Sequence, residues 1–409
     1  MSLCQTTGCA TYFVSRRPVS VLPLPRVHLS RTMLSELITL VALTARVLSA
    51  DMDSEGVPLA AAFSNTFVPK MFQALFPGRE NLVFAPLGLS ASLAMIIETL
   101  DSKAAEEARR VLRIRPEDKN LLRTGFRNIL LECEKALQEE EAAGTYNKIT
   151  MLTAHDFPEQ YYNILTDSYR ANVSVGSTPL NTSDHVVLLQ SDSGVMSHWK
   201  DFHQLAVFTY LSHEAAAPFT LAEGDTVTVP LVPQVGLFRT GRLHRLNCHA
   251  VQLPLQSRRV YLILLLPDTP DGVAQVVSSL PKEKLLQMVK SLPLVETHVS
   301  LPQLAILTSD LDLGPFVRQL GVRQLFTDSH NYVRSIKQNA YFSTSFVAVN
   351  SVGSVTTQLE LGSSGRSKRD VNKVVFDRPF LFFLVHAPSD AVLLAGAVQN
   401  PTQVPFPSS

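Results

Sequence analysis

The sequence predicts an α+β fold, helix-rich in its N-terminal part and strand-rich toward its end. Three observations carry this expectation. From Phe63 to about Leu137, apolar residues recur at three- and four-residue spacings. After roughly Thr220, short β-rich runs such as "TVTVPLV" and "YLILLLP" replace them. Near the end, "RPFLFFLVH" and "VLLAGAVQNP" read as two strands joined by the polar turn Ala387-Pro388-Ser389-Asp390. Helices gathered in one part of the chain and strands in another point to an α+β domain.

Taken in order, residues 1–32 are rich in Pro, Arg and Ser and show no periodicity, which predicts an unstructured leader or extension. Met33 then opens a mostly apolar run, Leu37 to Leu43, with small residues at Ser49 and Ala50. Residues 33–50 are therefore expected to be a secretory signal peptide, with Met33 as an alternative start. The run is too short to span a bilayer, so no membrane span is expected. Residues 51–409 are expected to form a single domain, because 45% hydrophobic content over 409 residues supplies a large core.

Within that domain "NLVFAP" reads as a short strand ended by Pro86. "LGLSASLAMIIETL" and "SKAAEEARRVLRI" read as two helices. The stretch 176–213, with the single Trp199, has no legible pattern. Beyond it "AVQLPL" and "THVSLPQLAI" read as strands, and "LGPFVRQLGVRQLF" as a helical interlude before "YFSTSFVAVNSV". Two glycosylation triplets, at Asn172 and Asn181, fall in a polar, turn-rich segment and agree with export.

Charge and motifs exclude several functions. The 36 basic and 36 acidic side chains balance, which argues against nucleic acid as a partner. No Gly-x-Ser-x-Gly elbow, zinc helix or phosphate loop is present, so no enzyme is expected. The histidines His244 and His249 lack a carboxylate partner at a recognisable spacing, and the cysteines lack ligand spacing. No metal or cofactor is expected. Once the leader is removed, only Cys133 and Cys248 are left, and they could pair or stay free.

"VVFDRPFLFFLVHAPSDAVLLAGAVQNP", with Phe376, Pro379, Phe380, Gly396, Asn400 and Pro401, closely resembles the C-terminal signature of serpins, the serine-protease-inhibitor family. "NLVFAPLGLSASLAMIIETL" is similar to the family's first strand and following helix, and the later strands fall in the family's order. The resemblance covers most of residues 60–401 and fades between 175 and 213. It implies the serpin fold, with a large central sheet and an exposed reactive loop, here about 353–374. A protease cuts such a loop as bait, and the cut loop then inserts into the central sheet as a new strand.

Family spacing brackets the cut. Counting about fourteen residues from the hinge glycine, Gly353, reaches Ser367, and counting back about eleven from Pro379 reaches Lys368. The scissile residue is one of Arg366, Ser367, Lys368 and Arg369, which suits a trypsin-like serine protease or a proprotein convertase. The hinge residues Gly353, Ser354, Val355, Thr356 and Thr357 lack the family's alanine run, and Gln358 and Glu360 follow them. The family's paired serines at the strand-to-helix turn are Ala85 and Gly88 here, and its partner histidine is Ser343. The family's polar cluster for sheet opening is thus expected to be missing. If the central-sheet segment within 176–213 were missing as well, trapping would be excluded.

Two functions follow from the resemblance. One is a secreted, extracellular inhibitor of trypsin-like or convertase proteases, acting as a monomer. The other is a non-inhibitory serpin that serves as a carrier, a partner-binding module or a cleaved precursor. Some serpins bind sulfated glycans through helical arginines, and Arg109, Arg110, Arg113 and Arg115 lie in a helical stretch. Glu106, Glu107, Glu117 and Asp118 flank them, so a mixed solvated face is the expectation, with glycosaminoglycan binding weak at most.

Overall fold

The computed structural model describes residues 55–79, 81–99, 103–139, 144–153, 159–175, 185–197, 216–255, 259–281, 284–326, 331–344 and 372–403. The elements start with helices α1 (Gly56–Asn65) and α2 (Phe67–Leu75), strand β1 (Asn81–Phe84) and helix α3 (Pro86–Thr99). Pro86 both ends the strand and opens the helix, where its missing N–H is harmless. The helix is buried from Pro86 to Glu98, as its apolar residues on every side require.

Helices α4 (Lys103–Leu112) and α5 (Asp118–Glu139) follow. The crossing of α5 over α1 depends on two glycines: a Cβ on Gly125 would stand 2.0 Å from the Gly56 carbonyl oxygen. Glu98 is a buried carboxylate on α3, and α5 neutralises it. Arg123 grips both its oxygens, at 3.1 and 2.8 Å, and Lys119 lies 3.0 Å away. A buried carboxylate is tolerated only when it is paired in this way.

Strand β2 (Gly144–Thr153), helix α6 (Glu159–Tyr169), β3 (Ala171–Val175) and β4 (His185–Ser197) complete the first part. These three strands join β10 (Ala305–Asp312) and β11 (Asn331–Thr344) in a sheet of order β10-β11-β4-β2-β3. A central-sheet segment is therefore present at His185–Ser197, and the expectation that it could be missing is corrected. Its inward row of Val187, Leu189, Ser191, Ser193 and Val195 is buried but part polar, which weakens the alternation a sequence reader looks for.

The second sheet contains β5 (Ala216–Thr220), β6 (Thr226–Leu243), β7 (Cys248–Pro254), β8 (Val260–Pro267), β9 (Leu294–Pro302), β12 (Asn372–Val375), β13 (Phe380–His386) and β14 (Val392–Val398), together with β1. Two short helices, α7 (Val273–Ser279) and α8 (Leu285–Lys290), separate β8 from β9. "THVSLPQLAI" is two strands rather than one: it is divided at Pro302, and β9 and β10 belong to different sheets. The interlude is shorter than its periodicity suggests. Helix α9 (Gly314–Gln319) stops before Gly321, whose φ of 106° no ordinary helix accepts, and a 3-10 turn follows at Gln324–Phe326.

Strands β13 and β14 are buried on both faces and pair antiparallel. The glycine of the signature is dictated by packing, since a Cβ on Gly396 would lie 2.0 Å from the Leu82 carbonyl oxygen and 2.6 Å from the Phe382 ring. Phe382 in turn stacks on Phe342 of β11, with centroids 5.1 Å apart, and so ties the two sheets together. The Asn-Pro end is clamped by Asn81, whose side chain donates to the Asn400 carbonyl at 2.7 Å and accepts from the Gln399 N–H at 2.9 Å.

Candidate functional site

The centre of the five-stranded sheet is the joint between β4 and β11. The two strands run parallel, paired from Asn331 with His185 to Thr344 with Ser197. Their outer neighbours, β2 and β10, pair with them antiparallel. β11 ends at Thr344 in this sheet, and the next described strand, β12, begins at Asn372 in the other. Residues 345–371 connect the two.

Behind the joint lies the turn from β1 into α3. Gln338, fully buried on β11, grips it from both ends: its Oε1 accepts from the Ala85 N–H at 2.8 Å, and its Nε2 donates to the Ala85 carbonyl at 2.9 Å. On β10, the Thr308 hydroxyl accepts from the Val83 N–H at 3.0 Å. β1 and the first turn of α3 are thereby pinned to the β10–β11 side of the joint. On the β4 side, Ser191 faces Gly88. A Cβ on Gly88 would sit 2.1 Å from Ser191 Oγ, so the strand's hydroxyl fills the space that a helix side chain would take. That buried hydroxyl has no hydrogen-bond partner.

The front of the joint is polar. Asn339 on β11 donates across it to Asp192 on β4 at 2.7 Å, and Gln190 donates to the same carboxylate oxygen at 3.0 Å. Asn339 also accepts from the Asp310 N–H at 2.7 Å. At the far end, Thr344 exchanges hydrogen bonds with the Leu304 backbone, at 2.9 and 3.1 Å.

The missing polar cluster is thus only half of the outcome. Ala85 and Gly88 contribute no hydroxyl and Ser343 is buried, yet Gln338 supplies a different anchor to the same turn. Sequence reasoning missed Gln338. Its signal is a lone amide on an otherwise small or apolar inward row of Ile336, Ala340 and Phe342.

The other candidates divide plainly. Gly353, Ser354, Val355, Thr356, Thr357, Arg366, Ser367, Lys368 and Arg369 lie outside the described residues, as do Asn181, Trp199 and the leader. Asn172 is exposed, but in β3, the outermost strand of its sheet, rather than in a turn. Cys133 and Cys248 are both buried and form no disulfide. Burial pushes both thiols up to about 12, which keeps them protonated and inert.

The arginine patch is not one helical face. Arg113, at φ 58°, and Arg115 lie beyond the end of α4, and Arg115 is committed to Asp118 through two hydrogen bonds of 2.8 and 2.7 Å. Among the described residues no cluster of His, Cys, Asp and Glu could hold a metal ion. Nor, among them, is any helix long and apolar enough to cross a membrane.

Comparison with known proteins agrees with this architecture. The leukocyte elastase inhibitor A of Mus musculus is 30% identical over 201 residues, which are 45% of this chain and 52% of that protein. Ovalbumin of Gallus gallus is 26% identical over 194 residues, 46% of this chain and 50% of its own length. Over these alignments the chain spans about half the length of the curated relatives it matches. Native protease nexin-1, solved with heparin, superposes with a TM-score of 0.66 at 17% identity, over 85% of this chain and 100% of that one. Human thyroxine-binding globulin superposes with a TM-score of 0.68 at 15% identity, over the same shares. The family profile described as "Serpin (serine protease inhibitor)" matches residues 62–183 and 210–401, and the chain belongs to the serpin family.

Proposed function

We propose that this chain is an inhibitor of serine endopeptidases, with the loop of about 353–374, whose last residues fall in β12, as its bait and the β4–β11 joint as the slot that receives the cut strand. One observation carries the reading. A strand that leaves Thr344 and turns back must run antiparallel to β11, and because β4 is parallel to β11 it would be antiparallel to both. Insertion would exchange one parallel pairing for two antiparallel ones, which are slightly more stable per residue, and would add a full row of backbone bonds. The basic residues Arg366, Lys368 and Arg369 suit a trypsin-like protease or a proprotein convertase as target.

Export through a leader at residues 33–50, with a glycan on Asn172, belongs to the same proposal. The exposure of Asn172 in an outermost strand supports it.

A second reading, a serpin that is cut without trapping, is favoured by the hinge. The row Ser354, Thr356, Gln358 and Glu360 carries an amide and a carboxylate where small residues would enter the sheet most easily. The deciding experiment incubates the secreted protein with trypsin and with a furin-type convertase, followed by denaturing gels and mass spectrometry. A complex stable in SDS, a cut within 366–369 and a mature N-terminus near Ala50 are expected. Clean cleavage with no complex and no gain in thermal stability would sink the inhibitor reading in favour of the second.

A further inference from the structure

The five-stranded sheet ends on two edges that are protected very unequally. Its β10 edge carries a bulge between Thr308 and Leu311, where Asp310 takes a left-handed φ of 53°, and exposed acids at Asp310 and Asp312. Bulges and charges are the devices that keep an edge strand from pairing with another chain. β3, at the other end of the order, has neither. It reads Ala171-Asn172-Val173-Ser174-Val175, with no charge and no proline, and among the described residues it pairs with β2 alone. Arg170, just before it, is committed to Glu134 of α5 through hydrogen bonds of 2.9 and 3.1 Å. Ala171 and Val173 are buried, and Asn172 is exposed on the opposite face.

We propose that the free edge of β3 is a self-pairing surface for a second copy of this chain, and that an N-glycan on Asn172 keeps it closed. The inference rests on the export reading above. Two copies of the strand can pair antiparallel about a two-fold axis through Val173. The full overlap sets Ala171 against Val175 of the second copy, Asn172 against Ser174, and Val173 against Val173. This register keeps Ala171 and Val173 of both copies on the buried side, whereas a slip of one residue would turn them out. It joins the two sheets into one continuous sheet, with no like charges opposed across the new ladder.

The same register explains why a glycan forbids the pairing. The two Asn172 side chains would project from one face at diagonal positions, about 7 Å apart. Two branched oligosaccharides rooted that close cannot both clear strands that must approach to about 4.8 Å.

The test uses the full chain, secreted from cultured animal cells as the parent, Asn172→Gln, Ser174→Ala and Asn172→Lys. Intact mass and peptide mapping report the glycan, sedimentation velocity the assembly, and amide hydrogen exchange the protection of residues 171–175. The parent is expected to carry a glycan at Asn172 and to sediment as a monomer. Asn172→Gln and Ser174→Ala lose the glycan by different routes. Both should dimerise at concentrations where the parent does not, with exchange at 171–175 slowed roughly tenfold or more in the dimer. Asn172→Lys also lacks the glycan but would set two ammonium groups close together on one face, and should stay monomeric. Monomeric Gln and Ala variants would overturn the proposal. So would dimers without added protection at 171–175, or a Lys variant that dimerises as readily as the Gln variant. A secreted parent with its N-terminus near Ala50 and a bare Asn172 would sink the inference and leave export standing. A parent kept inside the cell with residues 33–50 uncleaved would remove the export reading, and this inference with it.

Discussion

Gln338 and Ser191 are two polar side chains buried behind the joint, and they are held in opposite ways. Gln338 satisfies both backbone groups of Ala85, whereas the Ser191 hydroxyl is buried with no partner. Replacing Gln338 by Leu leaves the Ala85 carbonyl its helical bond from Leu89 but orphans the Ala85 N–H, at a cost of about 1–3 kcal/mol. Replacing Ser191 by Ala removes a buried hydroxyl that bonds to nothing, and should stabilise by about 1 kcal/mol. Urea denaturation of the two variants should show the midpoints moving apart, down for Gln338→Leu and up for Ser191→Ala. Equal shifts in one direction would mean that the turn behind the joint is not anchored as described.

At the scale of elements, the β13–β14 hairpin holds a built-in acid sensitivity. His386 ends β13 in the core, its Nδ1 sharing a 2.8 Å hydrogen bond with the Ser389 hydroxyl of the turn and its Nε2 without a partner. Burial holds this imidazole down at about 4, outweighing the pull of Glu132 and Asp390, while Arg259 adds to the depression. A histidine depressed in the folded state binds its proton more readily when unfolded. Its contribution is therefore complete above the ordinary value of about 6.5 and is lost as pH falls from there toward 4.

The loss amounts to about 3 kcal/mol across that window. A His386→Gln variant should show a flatter stability profile between pH 6.5 and 4, followed by thermal denaturation, and a profile parallel to the parent's would contradict the assignment. The hairpin itself was legible, because two long apolar runs around a polar turn leave little choice. The sensitivity was not, because His386 falls in register with apolar neighbours and only the tertiary burial gives it meaning. In the same way β4 hid behind serines, and nothing in the local sequence marks the glycines at 56 and 125 as the contact points of a crossing.

For the whole molecule, the proposed function turns on whether the cut loop would enter the joint before the acylated protease is released. The slot is furnished: the joint is parallel, its inner floor is Ser191, Gln338 and the first turn of α3, and its outer edge is crossed by the Asn339–Asp192 bond. On that reading the hinge is the component expected to be slow. In a strand, Ser354, Thr356, Gln358 and Glu360 share one face, and a register that turns this face inward must strip water from a carboxylate. Each 1.4 kcal/mol or so added to the insertion barrier slows it about tenfold, enough to shift the balance from trapping to turnover. The double variant Gln358→Ala and Glu360→Ala should therefore raise the SDS-stable fraction with trypsin by about an order of magnitude relative to cleaved product. It should also raise the melting temperature of the cleaved chain, since easier insertion leaves more of the sheet completed. An unchanged partition, together with unchanged stability after cleavage, would place the hinge residues off the inward face and move the control of insertion to the Gln338 anchor.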